Sequence, residues 1–203
     1  MKNLLVTTRS ISQHDEVYFS VDSNWFKYFN NHNLFALPNN LKVAENIYQH
    51  LNISGVILSG GGSIQSNDLD TNSHDPERER VEEYLIEKSI SKNIPLITIC
   101  RGTQKILTFL EQDIKFCENP IQIKEKFQLF NSDNIQVKKE KYRTCYNKFS
   151  IVNENLRNNW DVLFIDKYKN IQLIKHKKFK ILSFMWHPER DFTDKKTISN
   201  FLE

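Results

Sequence analysis

The sequence predicts an α/β fold, a doubly wound and mostly parallel sheet with helices packed on it, and three observations predict it. Short apolar runs rich in β-branched residues recur along the chain. Two of them lead straight into glycine-bearing turns, and all five glycines of the chain, Gly55, Gly60, Gly61, Gly62 and Gly102, fall in those two segments. Between the two lies a stretch with helical periodicity. The resulting order, strand, Gly-rich turn, helix, strand, turn, helix, is that of a doubly wound sheet, whose ligands sit at the carboxyl ends of the strands.

Residues 4–7, 56–58, 96–99, 162–165, 171–174 and 181–185 read as strands, being short, apolar and β-branched. Residues 75–93 read as a helix: Val81, Tyr84, Leu85, Lys88 and Ser89 share one face, with Ile86 and Ile90 beside it. Asp75 is the expected cap and Pro76 suits the first turn, whereas Asn93 and Pro95 close the segment before the next strand. KILTFL, which follows the second Gly-bearing turn, is compatible with another helix. From residue 135 onward short apolar and basic stretches alternate, which predicts antiparallel strands at the edge of a mixed sheet. No repeat, low-complexity tract or Gly/Ser linker interrupts the chain, so a single domain over residues 1–203 is expected.

Composition narrows the function classes. With 39% hydrophobic and 26% charged residues, 14 Phe, 7 Tyr and 3 Trp, the chain can build a full core, which argues against disorder. A net charge of +3, with Lys scattered among acidic residues, argues against a nucleic-acid partner but leaves a phosphorylated small substrate open. Three Cys without a CxxC pair form no disulfide framework and suit a reducing, cytoplasmic setting. The apolar run at Leu4, Leu5 and Val6 is too short for a signal peptide, and no stretch approaches a membrane span.

Chemistry concentrates at the glycines. A triple Gly after a strand is either an ordinary loop or backbone that must approach a ligand closely. In ITICRGTQ a strand runs directly into Cys100, then Gly102 and a helix. That is the layout of a nucleophile elbow, in which the next backbone N–H can face an oxyanion and the positive helix end favours a thiolate. An isolated Cys at this place is otherwise a buried inert side chain. In FMWHPE an apolar strand ends in His187, with Glu189 two residues on. An imidazole can take the thiol proton and return it to a leaving amine, and a carboxylate can fix its tautomer. Without Cys100, His187 reads equally well as a turn residue and Glu189 as a solvated charge.

GVILSGGGS, PLITICRGTQ and MWHPER resemble, in order and spacing, the three signatures of class I glutamine amidotransferase-like proteins, over residues 55–190. The resemblance implies a flavodoxin-like three-layer α/β sandwich and a catalytic Cys100, His187 and Glu189. It implies an oxyanion hole from backbone N–H groups of the Gly60, Gly61 and Gly62 turn, chiefly Gly61, and of Arg101. Gln104 would hold the glutamyl group, and the Arg101 side chain would face its carboxylate. No metal and no organic cofactor is implied. Cys117 and Cys145 read as structural.

The stretch from Asp75 to Gln104 is similar to the γ-glutamyl hydrolase branch, where an acidic-Pro-x-Arg segment opens the helix; Arg78, Glu79 and Glu82 match it, and read equally as a charged, solvated helix start. In place of the family's Ser or Tyr followed by His stand Tyr146 and Asn147, which become substrate-binding candidates. The chain also resembles the short γ-glutamyl-CDP-amidate hydrolases of capsule-sugar biosynthesis, which implies a small γ-glutamyl, nucleotide-linked substrate. Lys138, Lys139, Lys141 and Arg143, and the Lys of residues 175–180, then read either as pyrophosphate partners or as an exposed basic edge that deters aggregation. The expected activity is cysteine-dependent hydrolysis of a γ-glutamyl amide; the alternative is a glutaminase subunit that feeds ammonia to a synthase partner.

Overall fold

The computed structural model of the chain describes residues 1–64, 74–112, 115–121, 124–129, 141–144, 147–151, 156, 158–166 and 170–203, and for residues 115–150 and 166 the backbone alone. In chain order the elements are β1 (Asn3–Thr7), β2 (Arg9–Gln13), β3 (Glu16–Ser20), α1 (Asn24–Tyr28), β4 (Asn33–Leu37), α2 (Leu41–His50) and β5 (Ile53–Leu58). Then follow α3 (Pro76–Ser91), β6 (Leu96–Ile99), α4 (Arg101–Phe109), β7 (Lys115–Ile121), β8 (Lys124–Leu129), β9 (Lys141–Thr144) and β10 (Asn147–Ser150). The chain ends with β11 (Trp160–Asp166), β12 (Ile171–His176), β13 (Ile181–Phe184), α5 (Pro188–Asp191) and α6 (Lys195–Leu202).

Among the described residues nine strands form the main sheet, in the order β4-β1-β5-β6-β13-β12-β11-β8-β9. The run from β4 to β13 is parallel throughout. Beyond β13 every pairing is antiparallel, which places the expected antiparallel strands at one side of a mixed sheet. β2 with β3, and β7 with β10, form separate two-stranded ribbons.

Both faces of the central strands β5, β6 and β13 are buried, in keeping with their predominantly apolar sequences. Alternation sends Leu5, Val56 and Leu58 to one side, where they pack with Ala44 of α2, Val81 and Leu85 of α3 and Ile106 of α4. Leu4, Val6 and Ile57 go to the other, against Trp25 and Tyr28 of α1 and Ile198 and Leu202 of α6. The three layers follow from these two cores, each fully buried aliphatic side chain contributing about 1.5–3 kcal/mol.

Local signals set the helix that matters most for the site. The Asp75 carboxylate accepts a hydrogen bond from the Arg78 N–H at 3.0 Å, and Pro76 occupies the first turn, so α3 begins where capping chemistry places it. Register aligns the strand ends: Leu58 pairs with Thr98, and Ile99 with Phe184. The turns after β5, β6 and β13 therefore open on one edge of the sheet. Lys175, Lys177, Lys178 and Lys180 are exposed and precede β13, at the opposite edge, so a role for residues 175–180 beside Cys100 is excluded. Among the described residues no helix is long and apolar enough to cross a membrane.

Candidate active site

Cys100 sits between β6 and α4 with φ 52° and ψ −106°, a conformation that a non-glycine residue adopts only when its surroundings impose it. Those surroundings are visible. Its N–H donates to the Phe184 carbonyl at 2.7 Å, and its own carbonyl accepts from the N–H groups of Thr103 at 3.0 Å and Gln104 at 3.1 Å. Beneath the turn the Thr103 hydroxyl donates to the Phe184 carbonyl at 2.7 Å, and the Thr98 hydroxyl donates to Ser183 at 2.8 Å. β6, α4 and β13 are thereby tied together directly under Cys100. Gly102 lets this happen: a Cβ there would lie 2.3 Å from the Leu58 carbonyl oxygen, so any side chain would force α4 off the end of β5.

His187 follows β13 and is 3% exposed; Glu189, in the first turn of α5, is 2% exposed. The His187 Nδ1 and Glu189 Oε1 lie 2.7 Å apart, and the imidazole also hydrogen-bonds Cys100. Burial alone pulls His187 down. The hydrogen bonds and charges of Cys100 and Glu189 outweigh it and push the imidazole up to about 9. Gly60 completes the enclosure, because a Cβ on it would meet His187 Cε1 at 2.6 Å and Cys100 Cβ at 3.4 Å. The structure thus brings Cys100, His187, Glu189 and the Gly60–Gly62 turn into one cluster. A cleft of about 50 Å³ at this cluster is lined by Arg9, Trp25, Gly60, Gly61, His187 and Glu189. A wider one of about 630 Å³ lies beside it, lined by Ser10, His74, Asp75, Gly62 and Arg101, and shares Arg9 with the first.

The side chain of Arg101 corrects one expectation. It is 1% exposed, its Nε donates to the Ser63 carbonyl at 3.0 Å, and its Nη1 donates to Glu82, so two of the three guanidinium nitrogens are already committed to protein acceptors. The solvated reading of the start of α3 is likewise overturned, because Arg78 is 1% and Glu82 0% exposed. Arg78 Nη1 donates to the Gly61 carbonyl at 2.6 Å, its Nη2 to the Ser59 carbonyl at 2.7 Å, and its Nε to Glu82 at 2.8 Å. Glu79 pairs with Lys105 at 2.7 Å, with His74 at 3.2 Å and, more loosely, with Arg101 Nη2 at 3.7 Å.

Gln104 is buried in the first turn of α4, beside the cluster. Asn147 opens β10, where the backbone alone is described; Lys141 and Arg143 lie in β9 and Cys117 in β7 on the same terms. Tyr146, Lys138, Lys139 and Cys145 lie outside the described residues. Two further residues, one at the cluster and one in the ion pairs of α3, are not apparent in the sequence. Arg9 reaches across from the β2–β3 ribbon, its Cδ 3.1 Å from where a Gly61 Cβ would be, and Lys105 bridges Glu79 and Glu83. An isolated Arg at a strand start and a Lys inside a helix carry no local signal of burial or approach.

The comparisons with known proteins agree on one family. The family model described as glutamine amidotransferase class-I matches residues 16–203. A γ-glutamyl-CDP-amidate hydrolase of Campylobacter jejuni is 34% identical over 172 residues, which cover 83% of this chain and 79% of the relative. A glutamine-hydrolysing GMP synthase component of Methanococcus aeolicus is 27% identical over 78% of this chain and 76% of its own. In fold, a putative GMP synthase component of Thermoplasma acidophilum superposes with a TM-score of 0.73 at 18% identity, covering all of this chain and 92% of that one. A glutamine amidotransferase of Thermotoga maritima does so with 0.65 at 14% identity, over 100% and 90%. The chain belongs to the class I glutamine amidotransferase family.

Proposed function

We propose that this protein hydrolyses a γ-glutamyl amide with Cys100 as nucleophile, His187 as acid and base and Glu189 as the group that orients it. The observation that carries the reading is the contact of His187 with Glu189 at 2.7 Å on one side and with Cys100 on the other, at an elbow of positive φ. The Cys100 thiolate attacks the γ-carbonyl carbon, and the carbonyl π electrons move onto oxygen, where the N–H groups of Gly61 and Arg101 receive them. Collapse of this intermediate breaks the C–N bond as His187 gives its proton to the departing nitrogen, leaving a glutamyl thioester. Water then attacks the thioester carbonyl while His187 takes a proton. The C–S bond breaks, and glutamate and the thiolate–imidazolium pair are regenerated. Each oxyanion donor is worth about 3–4 kcal/mol of transition-state stabilisation. Gln104, Tyr146 and Asn147 hold the glutamyl end.

The 34% identity to a γ-glutamyl-CDP-amidate hydrolase supports a substrate whose leaving group is a cytidine diphosphoramidate, and hence a place in capsular polysaccharide synthesis. The similarity to a glutamine-hydrolysing GMP synthase component supports a second reading, a glutaminase that supplies ammonia to a synthase. One experiment separates them: glutamate release by the purified protein from glutamine, γ-glutamyl-GABA and γ-glutamyl-CDP-amidate, beside Cys100→Ala. Release from the nucleotide amidate alone, abolished in the variant, is the expected result. Release from glutamine that appears only on adding cell extract favours the glutaminase, and release untouched in Cys100→Ala removes both readings.

A further inference from the structure

The two backbone donors assigned to the oxyanion come from different loops, at Gly61 and Arg101, yet a donor is effective only if it is held about 2.7–3.1 Å from the position of the developing charge. Resting on the hydrolase reading, we propose that Arg78 and Glu82, together with the guanidinium of Arg101, are positioning residues that set both donors at once. Arg78 draws the carbonyls of Ser59, Gly60 and Gly61 toward itself, at 2.7, 3.4 and 2.6 Å. No peptide bond among them is cis, so each carbonyl turned to Arg78 turns the N–H of the following residue to the opposite side. The N–H groups of Gly60, Gly61 and Gly62 therefore face away from α3, and Gly60 in that turn already lies against Cys100 and His187.

The second donor is anchored to the same carboxylate. Arg101 is the first residue of α4, where the N–H has no acceptor within the helix. Its side chain runs back to the Ser63 carbonyl at 3.0 Å and to Glu82 Oε2, while Glu82 Oε1 accepts from Arg78 at 2.8 Å. One carboxylate with one oxygen on each guanidinium thus fixes the spacing between the Gly turn and the nucleophile turn. Thr7 adds a third point: its hydroxyl reaches Glu82 at 3.2 Å and accepts from the Ser59 N–H at 3.0 Å.

Stability alone does not account for this cluster. Burying two guanidiniums and a carboxylate carries a desolvation cost that often cancels their attraction, and apolar side chains of similar volume would pack as well or better. What apolar side chains cannot supply is a set of donors that orients consecutive carbonyls, nor positive charge behind a turn that must face an oxyanion. An interaction of this kind acts in the transition state and leaves ground-state binding alone, so it belongs in kcat and not in KM.

Arg78→Lys and Glu82→Gln test it, the first keeping the charge while removing the forked donor set, the second keeping the shape while removing the charge. With the γ-glutamyl amide that the wild type cleaves fastest, kcat is expected to fall on the order of 10²-fold in each, the loss that follows removal of one oxyanion donor, with KM unchanged. Alkylation of Cys100 by iodoacetamide, which needs the thiolate but no oxyanion hole, is expected to stay at the wild-type rate when read by peptide mass spectrometry. Retained kcat in both variants overturns the proposal. So does parallel loss of kcat and alkylation, or of near-UV circular dichroism, since the cluster would then be shaping the thiol or the fold. A wild type silent on every amide fails differently: it removes the hydrolase reading itself, and this proposal with it.

Discussion

Two buried ion clusters flank Cys100, and they treat protons in opposite ways. In the Arg78–Glu82–Arg101 cluster, burial brings Arg78 down to about 10, still far from neutrality. Burial would raise the Glu82 carboxyl, but the charges of Arg101 and Arg78 and their hydrogen bonds hold it below its ordinary value. Near pH 7 neither of these groups changes charge. In the other cluster burial pulls His187 down, the hydrogen bonds and charges of Cys100 and Glu189 push it up to about 9, and an imidazole, unlike a guanidinium, can pass its proton to a neighbouring nitrogen and take one back. Equal burial therefore does not mean equal use. A carboxylate clamped between guanidiniums is a fixed brace, and a carboxylate beside an imidazole supports a group that moves protons.

The brace carries the largest expected effect on the folded state. Arg78→Met leaves Glu82 with one guanidinium and the carbonyls of Ser59 and Gly61 without the donor they have now. Removing one partner of a buried ion pair costs about 3–5 kcal/mol, and urea unfolding monitored by tryptophan fluorescence is expected to show a loss of that size. A loss below about 1 kcal/mol would mean that water reaches the turn and replaces Arg78, and the contrast between a fixed and a mobile cluster would then lose its physical basis.

The same contrast explains what was legible in the sequence. Strand runs ending at Leu58, Ile99 and Phe184 stand out because strands buried on both faces are predominantly apolar, here broken only by small hydroxyl residues such as Thr98 and Ser183. Cys100 and the Gly60–Gly62 turn stand out because glycine is otherwise scarce, and His187 with Glu189 because they close such a strand. The brace does not stand out. Arg78, Glu79 and Glu82 have the spacing and charge of a solvated helix start, and only the approach of the Gly turn buries them. The β2–β3 ribbon escaped for a related reason: most of it is exposed, so no apolar alternation marks it, and its turn uses His14 and Asp15 at positive φ without glycine. α2 does carry a signal, the Asn40 cap ahead of Ala44 and Tyr48 on one face, but strand patterning over the rest of the chain outweighs it.

The proton-moving cluster gives the next effect. Because Cys100 and Glu189 raise His187 to about 9, the imidazolium persists below that pH and is lost above it. The basic limb of kcat/KM is therefore expected to fall as pH rises through about 9, since the departing nitrogen then finds no acid. Removing Cys100 removes two of the influences that raise His187, so in Cys100→Ala the His187 Cε1 proton is expected to titrate at lower pH by NMR. Unchanged titration in that variant would assign the whole rise to Glu189 and would place the thiol outside the pair.

The smallest effect lies two residues from the largest. Arg80 shares α3 with Arg78 and pairs with Glu77 at 2.7 Å, but their side chains are 63% and 53% exposed. Water screens such a pair and holding two long side chains costs entropy, so Arg80→Ala is expected to change stability by no more than about 0.5 kcal/mol and to leave kcat as it is. Measured beside Arg78→Met on one helix, in one buffer, it removes charge, propensity and sequence neighbourhood as explanations and leaves burial against the Gly turn as the difference. Should Arg80→Ala prove as damaging as Arg78→Met, net charge on α3 would be the controlling quantity, and raising the salt concentration would then weaken the wild type to the same degree.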